Sequence, residues 1–182
     1  PILCEKPFTE TYEEAVKIQL IANKKNVPIL INNNRRYAPS MKGVKSAIEN
    51  GTIGEIKSIQ YYEGSKFDWP STSGFYFSSK SDKGVLMDRG PHVLDLILWW
   101  MDHKKVSRFS YIDDSRGGPE ANCLLDADFG GKTNVQVRLS WTAKQRNEYI
   151  IEGDKGRIWG DIYDWNYFNS ENAAKIGYKS YF

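Results

Sequence analysis

Residues 124–141 read Leu-Leu-Asp-Ala-Asp-Phe-Gly-Gly-Lys-Thr-Asn-Val-Gln-Val-Arg-Leu-Ser-Trp, two arms around a glycine pair. Val135, Val137, Leu139 and Trp141 fall on one face of the second arm, and Gln136, Arg138 and Ser140 fall on the other. Strict alternation is the period of a half-buried strand, and Gly130-Gly131 supplies a turn, so the stretch predicts an antiparallel hairpin. The apolar face can cover a helix of this chain or meet another subunit. Residues 149–152 and 157–163 flank Gly153-Asp154-Lys155-Gly156 and predict a second hairpin. Upstream, residues 56–63 and 106–112 read as strands. Residues 40–49 read as a helix, with Met41, Val44, Ala47 and Ile48 on one face and Asn50-Gly51 as its stop. This part of the chain is therefore α+β with a mainly antiparallel sheet.

The N-terminal residues follow another pattern. Ile2-Leu3-Cys4 is a short apolar strand, and residues 28–31 are a second. Between them Thr9 is the expected helix N-cap, with Glu10, Glu13 and Glu14 in the first turns and Lys24-Lys25 in the last, as the helix dipole prefers. Strand, helix and strand in this order predict a right-handed crossover with parallel strands. Such a pair needs more strands beside it and cover on both faces, so a larger N-terminal part is expected.

Composition narrows the function. The 182 residues carry a net charge of +2 and no basic run longer than a pair, which gives no reason to expect nucleic acid. The longest apolar run, residues 93–101, is interrupted by Asp95 and falls far short of the roughly 20 residues a membrane span needs. Cys4 and Cys123 stand far apart, without metal or redox spacing, and are expected as reduced thiols in a cytoplasmic protein. No metal site is expected. The chain has no Gly-x-Gly-x-x-Gly, no nucleotide-hydrolase phosphate loop and no Gly-x-Ser-x-Gly elbow.

Three places carry potential chemistry. Glu5-Lys6-Pro7 ends a parallel strand, where ligands of open α/β sheets bind, although a lysine there can also be a solvated turn residue. Asn32-Asn33-Asn34-Arg35-Arg36-Tyr37 follows the next strand and can hold hydroxyls, phosphate or carboxylate, or be a polar turn. In Gly84-Val85-Leu86-Met87-Asp88-Arg89-Gly90-Pro91-His92, Asp88 is the expected N-cap of a helix. His92 would then lie one turn on, near the helix's positive end. The dipole there disfavours the imidazolium, which suits a neutral histidine base; a structural histidine is the competing reading. The long polar-aromatic stretch 67–83 reads as a functional loop.

In order and spacing over residues 1–160, these motifs resemble the glucose-fructose oxidoreductase, inositol dehydrogenase and rhizopine-catabolism (Gfo/Idh/MocA) family. The resemblance rests on Glu5-Lys6-Pro7, Asn34-Arg35-Arg36-Tyr37-x-Pro39, Ile53-Gly54-Glu55-Ile56, Gly84-Val85-Leu86-x-Asp88-x-Gly90-x-His92 and Gly153-x-x-Gly156. It implies an α+β fold: an open, mainly antiparallel sheet with helices on one face, preceded by the last βαβ unit of a truncated Rossmann domain. Residues 1–34 would be that remnant, and 35–182 the substrate-binding, catalytic and oligomerisation domain. It implies hydride transfer between a sugar or polyol and NAD or NADP, with Lys6, Asp88 and His92 as catalytic residues and Asp88 orienting His92 or sharing its proton. Glu5, Lys6, Pro7 and Arg35 would meet the cofactor. Arg36, Tyr37 and Trp69, with Asp88 and His92, would meet the substrate. A cis Lys6–Pro7 bond and a homo-oligomer through the open sheet are further expectations. The competing readings are a non-catalytic binding or assembly module on the same fold, and a carbohydrate-binding protein that stacks sugars on Trp69, Phe75, Tyr76 and Trp99.

Overall fold

A computed structural model describes residues 1–66, 84–115 and 118–172. The order of elements is β1 (Ile2–Cys4), α1 (Tyr12–Lys25), β2 (Ile29–Ile31), a 3-10 turn (Asn34–Tyr37), α2 (Pro39–Glu49), β3 (Ile56–Gly64), α3 (Val85–Trp100), β4 (Arg108–Asp113), β5 (Asn122–Phe129), β6 (Thr133–Ser140), β7 (Glu148–Gly153), β8 (Gly156–Asp161) and β9 (Asn169–Asn172). Trp69, Phe75, Tyr76 and the expected loop 67–83 lie outside the described residues.

The glycine pair makes the first hairpin. Gly130 and Gly131 adopt φ of 65° and 71°, a left-handed backbone that glycine takes without a Cβ penalty, and the Gly131 N–H donates to Asp128 Oδ1 at 2.8 Å. β5 and β6 then pair antiparallel from Asn122↔Ser140 to Phe129↔Thr133. β7 and β8 form the second hairpin. Among the described residues the sheet has seven strands in the order β4-β5-β6-β3-β7-β8-β9, antiparallel throughout except where β3 inserts beside β6 in parallel. β9 had no counterpart in the sequence reading. Its residues Asn-Ser-Glu-Asn are all polar, so no alternation marks them as a strand.

One face of the sheet is the core. Val135, Val137, Leu139 and Trp141 join Ile59, Tyr61, Tyr149, Ile151 and Ile158 there, beneath Val93, Leu96, Ile97 and Trp100 of α3. The alternating face of the hairpin is thus covered by this chain's own helix, and the opposite face of the sheet is turned away from that core. That face carries Tyr62, Gln136, Arg138, Ile150 and Trp159, none of them buried.

β1 and β2 pair in parallel and, among the described residues, only with each other. The helix between them begins two residues later than expected. Thr11, not Thr9, is the N-cap: its hydroxyl accepts from the Glu14 N–H while the Glu14 carboxylate returns to the Thr11 N–H, a capping box. Leu3, Leu20, Ile21 and Leu30 of this unit are 57–72% exposed. That is the apolar surface a two-strand parallel pair cannot cover alone.

Candidate active site

The site is built on α3. Gly84, not Asp88, is its N-cap residue. Glu120, arriving from the loop before β5, caps the helix start instead: its carbonyl accepts from the Val85 N–H at 2.9 Å and its carboxylate from the Leu86 N–H at 2.8 Å. A Cβ on Gly84 would lie 2.0 Å from Glu120 Oε2, so glycine is what lets the carboxylate approach. Asp88 therefore lies inside the first turn, and His92 lies two turns in. The spacing Asp88, His92, Asp95, Trp99 still places these residues along one side of the helix.

Two segments converge on that side. Lys6, just beyond the end of β1, donates through Nζ to the Asp88 carbonyl at 2.6 Å and to Asp88 Oδ1 at 3.2 Å. The Lys6–Pro7 bond is cis, as the resemblance implied. The 3-10 turn after β2 sends two adjacent arginines in opposite directions. Arg35 reaches the sheet, with Nη1 and Nη2 on the Glu63 carboxylate at 2.7 and 2.8 Å and Nη1 also on the Tyr61 hydroxyl at 2.8 Å. Arg36 reaches the helix, with Nε and Nη2 on Asp95 at 2.5 Å each, and its guanidinium lies 5.6 Å from the Trp99 ring. Asn33 adds a bond to Asp95 Oδ1 at 2.7 Å.

His92 lies within this cluster. Burial, then the charges of Arg35 and Lys6, push its pKa down to about 4, outweighing Glu63 and Asp88. The imidazole is therefore neutral at pH 7, the state expected for a base, with desolvation as the largest cause and the neighbouring cations next. Its Nδ1 is buried with no hydrogen-bond partner among the described residues. Asp88, expected to orient it, bonds to Lys6 instead.

Several sequence-singled residues thus have other partners. Arg35, expected at the cofactor, is held inside by Glu63 and Tyr61; those bonds outweigh burial and keep its pKa above the ordinary value. Arg36, expected at the substrate, is occupied by Asp95. Tyr37 is 70% exposed, with Lys42 over its ring, and stands outside the cluster. Glu5 accepts from Asn32 Nδ2 at 2.6 Å, tying the ends of β1 and β2 together. Glu63, Tyr61 and Arg89 were missed. The signal was available for Glu63: in the alternation Ile59, Tyr61, Glu63 a carboxylate takes an inward position, which demands a cation.

Residues 41–159 match the family model described as GFO/IDH/MocA C-terminal domain. The chain belongs to the Gfo/Idh/MocA family. A D-apiose dehydrogenase of Rhizobium rhizogenes is 27% identical over 167 residues, 87% of this chain and 47% of that protein. The rhizopine catabolism protein MocA of Rhizobium meliloti is 29% identical over 131 residues, 69% of this chain and 40% of that protein. An inositol dehydrogenase homolog from Azotobacter vinelandii, solved with NADH and myo-inositol, superposes with a TM-score of 0.84 at 20% identity, over 98% of this chain and 51% of that one. The chain spans about half or less of the length of the relatives it matches. This Gfo/Idh/MocA chain therefore has the family's α+β fold, with its open, mostly antiparallel sheet.

Proposed function

We propose that this chain is the substrate-binding and catalytic part of a NAD(P)-dependent oxidoreductase acting on a sugar or polyol carbinol. The observation that carries the reading is the convergence of Lys6, Asp88 and His92 from β1 and α3, with His92 held neutral. Residues 1–34 are proposed as the last strand-helix-strand of a dinucleotide-binding domain, and residues 35–182 as the catalytic domain. The carboxyl end of β1 meets α3 through the Lys6 ammonium, a donor that fits the carboxamide end of a nicotinamide. The nicotinamide, when bound, supplies the hydride acceptor.

His92 takes the hydroxyl proton as the carbinol carbon becomes a carbonyl, and Nε2 is the nitrogen that meets the substrate. Lys6 donates to the same oxygen, and Asp88 holds the Lys6 amine in place. Acid–base help of this kind is worth about 10²–10⁴-fold in rate. The outer sheet face, with Tyr62, Ile150 and Trp159, is proposed to join copies of the protein, and the cytoplasm is the proposed compartment.

The test uses the complete protein. His92→Ala is expected to lower kcat by about 10²–10⁴-fold while the Kd for NAD(P)H stays the same. Equal loss of turnover and cofactor affinity would remove His92 from the proton-transfer role. Titration of NADH and NADPH into the 182-residue chain is expected to give no binding up to millimolar concentration; micromolar binding would contradict the proposed division of labour.

A further inference from the structure

Arg89 lies between Asp88 and His92 on α3, and the bonds of the cluster leave part of it unused. Its Nη2 donates to Ser65 Oγ at 2.9 Å. Its Nη1 is buried and has no acceptor among the described residues. The nearest carboxylate oxygen among the described residues, Glu63 Oε1, is 3.9 Å away, beyond hydrogen-bond reach. Glu63 is instead turned to Arg35, which takes one bond on each of its oxygens. Arg89 and His92 are three residues apart in the helix and so are neighbours on its surface.

Among the described residues the charges do not balance either. Lys6, Arg35 and Arg89 carry positive charge against Asp88 and Glu63, while His92 is neutral, an excess of one cation. Tyr163 borders this cluster, and its hydroxyl feels Glu63, Arg89 and Arg35. Tyr163 is itself 54% exposed, so the border of the cluster reaches solvent on that side.

We infer that Arg89 forms an anion subsite beside His92, and that the substrate carries a carboxylate: a sugar acid and not a neutral sugar or polyol. The inference rests on the oxidoreductase reading and names its substrate class. A carboxylate is the fitting anion because it cancels a single positive charge and its two oxygens match the fork of a guanidinium. Docking it on Arg89 fixes the polyol chain with a carbinol toward His92.

The experiment uses the complete protein and two matched pairs: D-glucuronate against D-glucose, and D-gluconate against D-glucitol. Binding is measured by calorimetry and turnover by NAD(P)H formation. The acids are expected to bind roughly 10–100-fold tighter than their neutral partners, the span one charge-assisted hydrogen bond is worth. Arg89→Gln is expected to erase that preference. Arg89→Lys is expected to restore part of it, since it returns the charge without the fork.

Equal binding of acids and neutral partners, failure of both acids to bind, or an acid preference that survives Arg89→Gln would overturn the subsite. Acids that bind without any NAD(P)H formation would leave the subsite standing and defeat the dehydrogenase reading. Faster turnover of glucose and glucitol than of the acids would do the reverse. Should Arg89→Gln fail to fold, the His92 ring resonances of the wild-type protein decide. Saturating glucuronate is expected to raise the His92 pKa and glucose is not; no difference between them overturns the inference.

Discussion

His92 feels opposed forces whose balance sets a pH dependence. Burial, Arg35 and Lys6 lower its pKa, while Glu63 and Asp88 raise it, and the result is about 4. The acid limb of kcat/KM for substrate oxidation is therefore expected near pH 4, well below the ordinary imidazole value of 6.5. Lys6→Met removes one of the lowering charges, so that limb should move to higher pH. A pH–rate profile that stays in place would mean Lys6 does not act on His92. The same shift affects stability. The folded value lies below the unfolded one, so the contribution of His92 is complete above about pH 6.5 and is lost as the pH falls toward 4.

Helix α3 is held at its start and along its third turn by charged groups from distant segments. Arg36 and Asn33 grip Asp95, and Glu120 caps the first turn. Asp95→Ala leaves Arg36 and Asn33 without their acceptor and is expected to cost about 1.5–3 kcal/mol in urea unfolding, the worth of hydrogen bonds to a charged group. Asp95→Asn, with the same shape and no charge, should cost less. A loss below a few tenths of a kcal/mol for Asp95→Ala would mean the latch is idle. Gly84→Ala drives a methyl into the Glu120 carboxylate and should destabilise by about 1–3 kcal/mol. A melting curve unchanged from wild type would show that Glu120 moves aside freely.

The N-terminal strand-helix-strand and the sheet present different surfaces to their surroundings. Leu3, Leu20, Ile21 and Leu30 form an apolar exterior on a unit that has two paired strands among the described residues. The 182-residue chain alone is therefore expected to bind a hydrophobic dye and to self-associate, while the complete protein binds little dye. Equal dye binding by both would argue that nothing covers this face. The outer sheet face makes a separate prediction. Trp159→Glu on the complete protein should weaken the proposed oligomer in sedimentation velocity without changing helix content. An unaltered sedimentation coefficient would place the subunit contact elsewhere.

Local order was legible because it depends on neighbours in sequence. The period of two in residues 133–140, the left-handed glycines at 130 and 131, and the helical spacing after Gly84 each fix a backbone conformation or a buried face without reference to anything distant. The family resemblance rests on the same kind of information, motifs in order along the chain. The partners of the charged residues could not be read this way. Lys6 meets Asp88 across 82 residues, Arg36 meets Asp95 across 59, and Arg35 meets Glu63 across 28. Only the fold brings them together, by laying the end of β1 and the 3-10 turn against α3 and the inner face of β3. It thereby paired Asp88 with Lys6, Arg35 with Glu63 and Arg36 with Asp95, and left Arg89 Nη1 without an acceptor among the described residues. An unpaired charge in a low-dielectric site is costly, so which charges pair is decided by distance in space and not along the chain.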